Sequence, residues 1–425
     1  MGDVSDVVIV GGGIAGSSLA YALASEGRSV TVLESSVEYQ DRVRGESMLP
    51  WGVKEARSLG VEQILLDAGA HVTPAWMQYI AGVDEPAAIP MSMMIEGIPG
   101  TLNMRHPDAC QALIDAAAAA GATVVRGVHD VKLSAGGDVS ITYATDHAAE
   151  VHAQLVVGAD GRSSTVRRQA GISLQRDHPI NYIAGLLVDG LAGIPDDHDV
   201  LAADGDLLLL MFHQGGGRAR LYLCPGRSGQ HRFAGPDAVA RFLAAWRNRG
   251  CYPLSGSVAA GSPAGPCATY PGDDTWTDTP FADRVVLVGD AAGHNDPIVG
   301  QGLSISMRDA RIVRDLILAG ARQPADFAPY GRERSDRMRT LRLIADVVSV
   351  TYAEDADNRL ARRLFLAGKM VSMDAEVSRF WSGPLPVPRQ FPALSSIRRS
   401  WTGSETPNKH PGRRRRPTPP RGTRH

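Results

Sequence analysis

The chain has 425 residues, 44% of them hydrophobic and 21% charged, a composition too apolar for a disordered polypeptide. Its net charge of −2 offers no broad basic face to nucleic acid. No apolar run approaches the roughly 18 residues that a membrane span needs.

The length allows two or three folded units. Val7-Val8-Ile9-Val10 is a short, wholly apolar run, as expected of a strand covered on both faces of a parallel sheet. That run breaks at Gly11 with no basic stretch before it, so no secretory leader is expected and the product should stay in the cytoplasm. Residues 14–26, rich in Ala, Leu and Ser, read as a helix ending near Gly27, and Val30-Thr31-Val32-Leu33 as a second strand. Together they make a β-α-β unit of about thirty residues. Pro107 and Asp108 open a helix running to Ala120, with Gly121 after it and a strand at Val124-Val125.

Leu155-Val156-Val157 is another buried strand. Residues 176–275 change character, with short β-like runs at Leu186-Leu187-Val188, 207–212 and 220–224 between Gly-, Asp- and Pro-containing turns. They predict an inserted, mostly antiparallel sheet. Val285-Val286-Leu287-Val288 restores the parallel-strand signature, and from Leu303 to about Met373 apolar residues recur at three and four, predicting helices. After Ser382 the chain turns to Pro, Arg, Ser and Thr, and residues 386–425 read as a disordered basic tail. Cys110, Cys224, Cys251 and Cys267 lie far apart, without the spacing of a zinc site or a disulfide framework, and read as small buried hydrophobes.

Three clusters carry chemistry. Gly11-Gly12-Gly13-Ile14-Ala15-Gly16 follows a strand and opens a helix, so Gly11 permits the tight turn, Gly13 lets backbone approach a diphosphate, and Gly16 packs helix on strand. Glu34 ends the second strand, where a carboxylate accepts hydrogen bonds from a ribose. The second cluster runs from Gly158-Ala159-Asp160-Gly161 to Arg167 and on its own is a strand, a turn and a serine-capped helix. The third is Gly289-Asp290-Ala291-Ala292 with Pro297 and Gly300-Gln301-Gly302, where a helix N-terminus faces an anion or a polarised carbonyl.

The trio, in this order, resembles the class A FAD-dependent monooxygenases, those with the p-hydroxybenzoate hydroxylase-like fold, over about residues 5–375. The resemblance implies an α/β fold: a Rossmann-like FAD-binding domain, an inserted, mostly antiparallel substrate domain and a helical C-terminal part. FAD-binding segments are expected at 1–75, 101–175 and 276–385, with substrate-sheet strands at 76–100 and the substrate domain at 176–275. By resemblance, Gly11, Gly13, Gly16 and Glu34 hold the ADP half of FAD. Asp160, Gly161 and Arg167 serve both FAD and NAD(P)H. Gly289 and Asp290 lie at the ribityl chain, and Pro297, Gly300, Gln301 and Gly302 against the isoalloxazine. Arg105 matches a residue touching the FAD chain, and Arg44 an arginine near the flavin. Arg44, Pro297 and His294 are the expected catalytic residues, with Asn295 and Asp296 beside the flavin edge. No metal is expected.

The implied reaction uses NAD(P)H and dioxygen to hydroxylate or epoxidise a small organic, aromatic or polyketide-like substrate through a flavin hydroperoxide. His213 and Tyr222 either face the substrate or are merely structural. Two departures bear on subfamily: Gly293 separates Ala292 from His294, and Ser304 stands where asparagine is common. Arg44-Gly45-Glu46-Ser47 also echoes halogenases and geranylgeranyl reductases, which makes an FAD-dependent reductase the alternative. The six tryptophans never form a Trp-x-Trp pair, which argues against halogenation. A non-enzymatic escort of the GDP-dissociation-inhibitor type would have eroded cofactor motifs, and these are intact.

Overall fold

The computed structural model describes residues 4–371 apart from 44, 135–138, 248 and 354–356. Arg44 and the segment 386–425 therefore lie outside the described residues. Strand β1 (Val4–Val10), helix α1 (Ile14–Ala24) and strand β2 (Val30–Glu34) form the opening unit, β1 pairing parallel with β2. Parallel pairing continues to Thr123–Arg126 beyond β2, and through Ala148–Gly158 to Val285–Leu287 on the other side. Helices α1, His106–Ala119 and Gly302–Leu318 bury their apolar faces in one core against this sheet. With both faces covered, β1 and β2 have no polar side to show, hence their continuous apolar runs. The hairpin of His129–Ser134 with Val139–Ala144 extends the sheet antiparallel from Ala148–Gly158.

A second eight-stranded sheet is antiparallel except where His198–Asp204 runs parallel to Ala75–Ile80. Its central strands, Asn181–Asp189, Leu207–His213 and Ala219–Pro225, are almost wholly buried because both faces are covered. One face packs on helix Ala328–Tyr352. The other is closed by Ala238–Arg247, whose Phe242 and Trp246 are fully buried. Reading 176–275 as strands and turns alone overlooks that helix, although Ala238, Phe242 and Trp246 recur at a spacing of four.

A buried carboxylate joins the inserted sheet to the small sheet of Ser47–Met48, Thr101–Asn103 and His71–Thr73. Asp199 accepts from the Thr73 hydroxyl at 2.9 Å, Thr101 at 3.1 Å, the Asn103 amide at 2.8 Å and the His213 backbone N–H at 3.1 Å. Burial nevertheless pushes its carboxyl up to about 6. Cys110 and Cys224 are buried, while Cys251 and Cys267 are half-buried. No helix of the described residues is long and apolar enough to cross a membrane.

Candidate active site

The first glycine loop is shaped by two steric demands. Gly11 sits at φ +105°, where a Cβ would lie 2.4 Å from the Ala159 carbonyl oxygen, and a Cβ on Gly16 would lie 1.9 Å from that of Gly11. Gly13 differs: a Cβ there would meet nothing within 4 Å, because the residue faces open space. It caps α1 without a side-chain acceptor, so the first N–H groups of the helix are left for a ligand. Glu34, buried at the end of β2, accepts the Gly12 N–H at 2.6 Å and the Ser36 N–H at 2.6 Å. The Tyr39 hydroxyl donates to the Gly12 carbonyl at 2.5 Å.

The second cluster is mostly scaffolding. The Asp160 carboxylate accepts from the Ser164 hydroxyl at 2.5 Å and from the backbone N–H of Thr165 and Val166 at 2.6 and 3.1 Å. Arg167 donates to the carbonyls of Arg162 and Ala291 at 3.2 and 3.1 Å. It therefore ties this cluster to the third. Arg162 does the same from the cavity side, meeting Asp290 at 3.2 Å.

At the third cluster the chain doubles back beneath the inserted sheet. Gly293 has φ +109°, and a Cβ would lie 2.3 Å from the Thr275 carbonyl, so the extra glycine before His294 makes this close approach. His294 Nδ1 lies 2.8 Å from the Thr275 hydroxyl and Nε2 lies 3.3 Å from Asp273. With both ring nitrogens engaged, His294 anchors the loop while lining the cavity. Asn295 donates to Asp274 at 2.6 Å, and Asp296 accepts from Asn181 at 2.6 Å while capping the Ile298 N–H at 2.9 Å. Burial pushes Asp274 up to about 6 and Asp296 up to about 7. From behind, buried Arg334 donates to the carbonyls of Gly289, Ala292 and Gly293 and to Asp309.

A cavity of about 900 Å³ runs past all three clusters and ends against the inserted sheet. Gly11, Gly13, Glu34, Asp160, Gly161, Asp290, His294, Pro297, Gly300, Gln301 and Gly302 line it. Gly16 and Gly289 stand behind its wall as backbone supports, Gly289 donating to Asp309 at 2.9 Å. Arg105 is paired with Asp108 at 3.0 Å, partly exposed, and is not among the residues lining the cavity. His213 is buried outside the cavity, where desolvation holds its imidazole down at about 4. Tyr222 does line the cavity.

Several residues invisible to motif reading complete the site. Trp51 donates from its indole N–H to Gln301 Oε1 at 2.9 Å, leaving Gln301 Nε2 buried without a partner. Among the described residues Ser47 Oγ and Asn295 Oδ1 likewise find no partner, and all three residues line the cavity near the Gly302 helix. Such orphaned polar atoms are expensive unless a ligand satisfies them. A Cβ at Gly161, Gly300 or Gly302 would also meet nothing within 4 Å. Open backbone at both ends, a buried carboxylate at the β2 end and unpartnered donors and acceptors at the other fit an extended dinucleotide such as FAD.

The comparisons with known proteins agree with this geometry. Residues 4–235 match a family model described as "FAD binding domain". Squalene monooxygenase SE2 of Panax ginseng is 26% identical over 328 residues, covering 74% of this chain and 58% of its own length. Squalene monooxygenase of Mus musculus is 23% identical over 386 residues, covering 86% of this chain and 65% of its own length. The chain thus spans less than two-thirds of these relatives, 58% of the first. Among solved structures, p-nitrophenol 4-monooxygenase PnpA from Pseudomonas putida DLL-E4 superposes with a TM-score of 0.75 at 18% identity, covering 91% of this chain and 100% of that one. The flavin-dependent brominase Bmp2 superposes with a TM-score of 0.73 at 18% identity, covering 94% and 98%. These structural likenesses establish the shared fold. With more than half of its length matched and the dinucleotide cradle in place, the chain belongs to the FAD-binding-domain family of class A flavoprotein monooxygenases.

Proposed function

We propose that the chain is an FAD-dependent monooxygenase that uses NAD(P)H and dioxygen to hydroxylate or epoxidise a small, uncharged, apolar substrate. The observation that carries this reading is one cavity joining the dinucleotide cradle to an apolar chamber on the inserted sheet. Trp76, Leu208, Leu210, Phe212, Tyr270 and Val348 line that chamber, whereas the cationic lining residues Arg42, Lys132 and Arg162 belong to the cofactor-binding part of the chain. A substrate carboxylate would find no arginine or lysine among the sheet's lining residues, and a hydrocarbon or neutral aromatic would bury its whole surface. The relatives named squalene monooxygenases support an alkene as one substrate to try.

When bound, FAD supplies the redox chemistry, taking hydride from the nicotinamide and activating dioxygen. The protein binds and orients. The N–H groups at the start of α1 would hold the diphosphate, Glu34 the ribose, and Asp290, steadied by Arg162, the polar chain that follows. The N-terminus of the Gly302 helix and the Gln301 amide would support the ring, and the apolar sheet would exclude water. Segments 1–75, 101–175 and 276–385 would hold the cofactor, and 76–100 with 176–275 the substrate.

The test is a panel of squalene, neutral aromatics and polyketide-like compounds presented to FAD-loaded protein. Substrate-stimulated NAD(P)H oxidation with matching oxygen uptake, and a product heavier by one oxygen atom, is expected. Nicotinamide oxidation without oxygen uptake, giving a product with two more hydrogens, would favour the reductase instead.

A further inference from the structure

We propose that Glu46 is the proton-carrying acid of the substrate chamber, presented there by Tyr222 and lying beside an ion pair of Arg220 with Asp41. The inference rests on the proposed function for its role and on four side chains for its chemistry.

Glu46 stands where the two halves of the cavity meet. Its carbonyl accepts the Met104 N–H at 2.7 Å, and three residues on, the Leu49 N–H donates to Ser304 of the cofactor helix at 3.2 Å. From the other side comes Tyr222, in the middle of the inserted sheet, whose hydroxyl donates to Glu46 Oε2. Gly185 makes this reach possible, since a Cβ there would lie 2.7 Å from the Tyr222 ring and 2.5 Å from Val43. Both Glu46 and Tyr222 line the cavity.

The charge count then decides the protonation state. Buried Arg220 meets Asp41 at 2.6 Å and Glu46 at 3.2 Å, so two carboxyls share one guanidinium out of water. Among the described residues the two carboxyls are in contact with this one guanidinium in a desolvated place, and the least costly remedy for the excess negative charge is a proton on one carboxyl. Asp41 lies nearer the surface and also accepts the Val43 N–H at 2.8 Å, so it keeps its charge. Although burial works against that charge, the Arg220 contact and this N–H hold the Asp41 carboxyl below the usual range. Glu46 is fully buried, and desolvation raises its carboxyl despite the opposing pull of Arg220 and the Tyr222 hydroxyl. Among the described residues Tyr270, from strand Ala268–Gly272, also faces it and is neutral because burial raises its phenol far out of the physiological range. His106, from the helix that starts there, packs on Gly45 next door.

A monooxygenase turnover consumes one proton. Substrate, dioxygen, NAD(P)H and that proton become oxygenated substrate, NAD(P)+ and water, with both electrons of the hydride ending on the oxygen atom that leaves. Glu46 gives the proton for the second O–H bond of the water and regains one from solvent.

Infrared spectroscopy of the FAD-loaded protein tests this without any substrate. Beside the band of buried Asp296, a second protonated carboxyl band is expected at neutral pH, seen as the difference between wild type and Glu46→Gln and shifted to higher frequency in Tyr222→Phe, which removes a hydrogen-bond donor. Asp41→Asn, which frees Arg220 for Glu46, should convert the band to carboxylate at lower pH. A spectrum unchanged in Glu46→Gln, with cofactor retention showing the variant folded, overturns the proposal. With squalene or another compound that turns over, product formed per NAD(P)H should fall roughly a hundredfold in Glu46→Gln, and the alkaline limb of the pH profile should vanish. Equal coupling in wild type and variant would also overturn it. An intact Glu46 band without any oxygen uptake sinks the monooxygenase reading and leaves the protonated carboxyl standing.

Discussion

Gly13 and Gly16 lie one helical turn apart at most, yet their neighbours make opposite predictions. A methyl on Gly13 would touch no protein atom within 4 Å and would point into the cavity, whereas a methyl on Gly16 would overlap the Gly11 carbonyl at 1.9 Å. Gly13→Ala should therefore change stability by about 1 kcal/mol or less while weakening FAD binding at least roughly tenfold, about 1.4 kcal/mol. Gly16→Ala should cost about 3 kcal/mol or more of folding stability whether or not cofactor is present. Urea titration with and without FAD separates the two, and equal effects of both substitutions would contradict the assigned roles. At this scale the sequence is readable where the reason is local: Gly11, Gly13, Gly16 and Glu34 act within one β-α-β unit. It is unreadable where partners lie far apart, as with Arg220 and Asp41, 179 positions distant, or Trp51 and Gln301, 250 apart. The partners of Arg105 and Arg167 in the fold, Asp108 and the Ala291 carbonyl, are likewise seen only in the structure.

Among the elements, the third corner depends on helix Ala328–Tyr352. Arg334 and Arg337 meet Asp309 of the Gly302 helix at 2.9 and 2.7 Å, and Arg334 also binds three carbonyls of the corner. All three side chains are fully buried, so removing one leaves uncompensated charge. Arg334→Leu should destabilise by about 3–5 kcal/mol and release the loop carrying Asp290 and Pro297, lowering FAD retention as well. A loss below about 1 kcal/mol in chemical denaturation would show that the network is not a support. Despite complete burial, the two guanidinium groups hold the Asp309 carboxyl below its usual range. Its contribution is therefore present above the unfolded value near about 4 and disappears as pH falls through the lower folded value. The helices and parallel strands were legible from apolar periodicity. The covering helix Ala238–Arg247 was masked by the turn-rich β segment around it, and the Asp199 junction draws Thr73, Thr101 and Asn103 from two separate strands.

For the whole molecule, buried acids set the pH response. Burial raises Asp199 and Asp274 to about 6 and Asp296 to about 7, so each binds its proton more tightly folded than unfolded. Their contribution is complete below the unfolded value near about 4 and is lost as pH rises through the folded values. His213, held down at about 4 by burial, acts oppositely. Its share is present above about 6.5 and lost as pH falls towards its folded value. With Glu46, whose carboxyl burial also raises, these acids outnumber His213 and make the melting temperature higher near about pH 5 than near about pH 8. A steady rise over that interval would contradict the burial assigned to these carboxyls.

The account depends most on an FAD lying along the cavity from α1 to the Gly302 helix. Titrating cofactor-stripped protein with FAD, followed by flavin absorbance and fluorescence, tests it most directly. Saturation at one FAD per chain is predicted, with a perturbed flavin spectrum and binding clearly weaker in Asp290→Ala. A folded protein that leaves the spectrum of added FAD unchanged at every concentration would contradict the account.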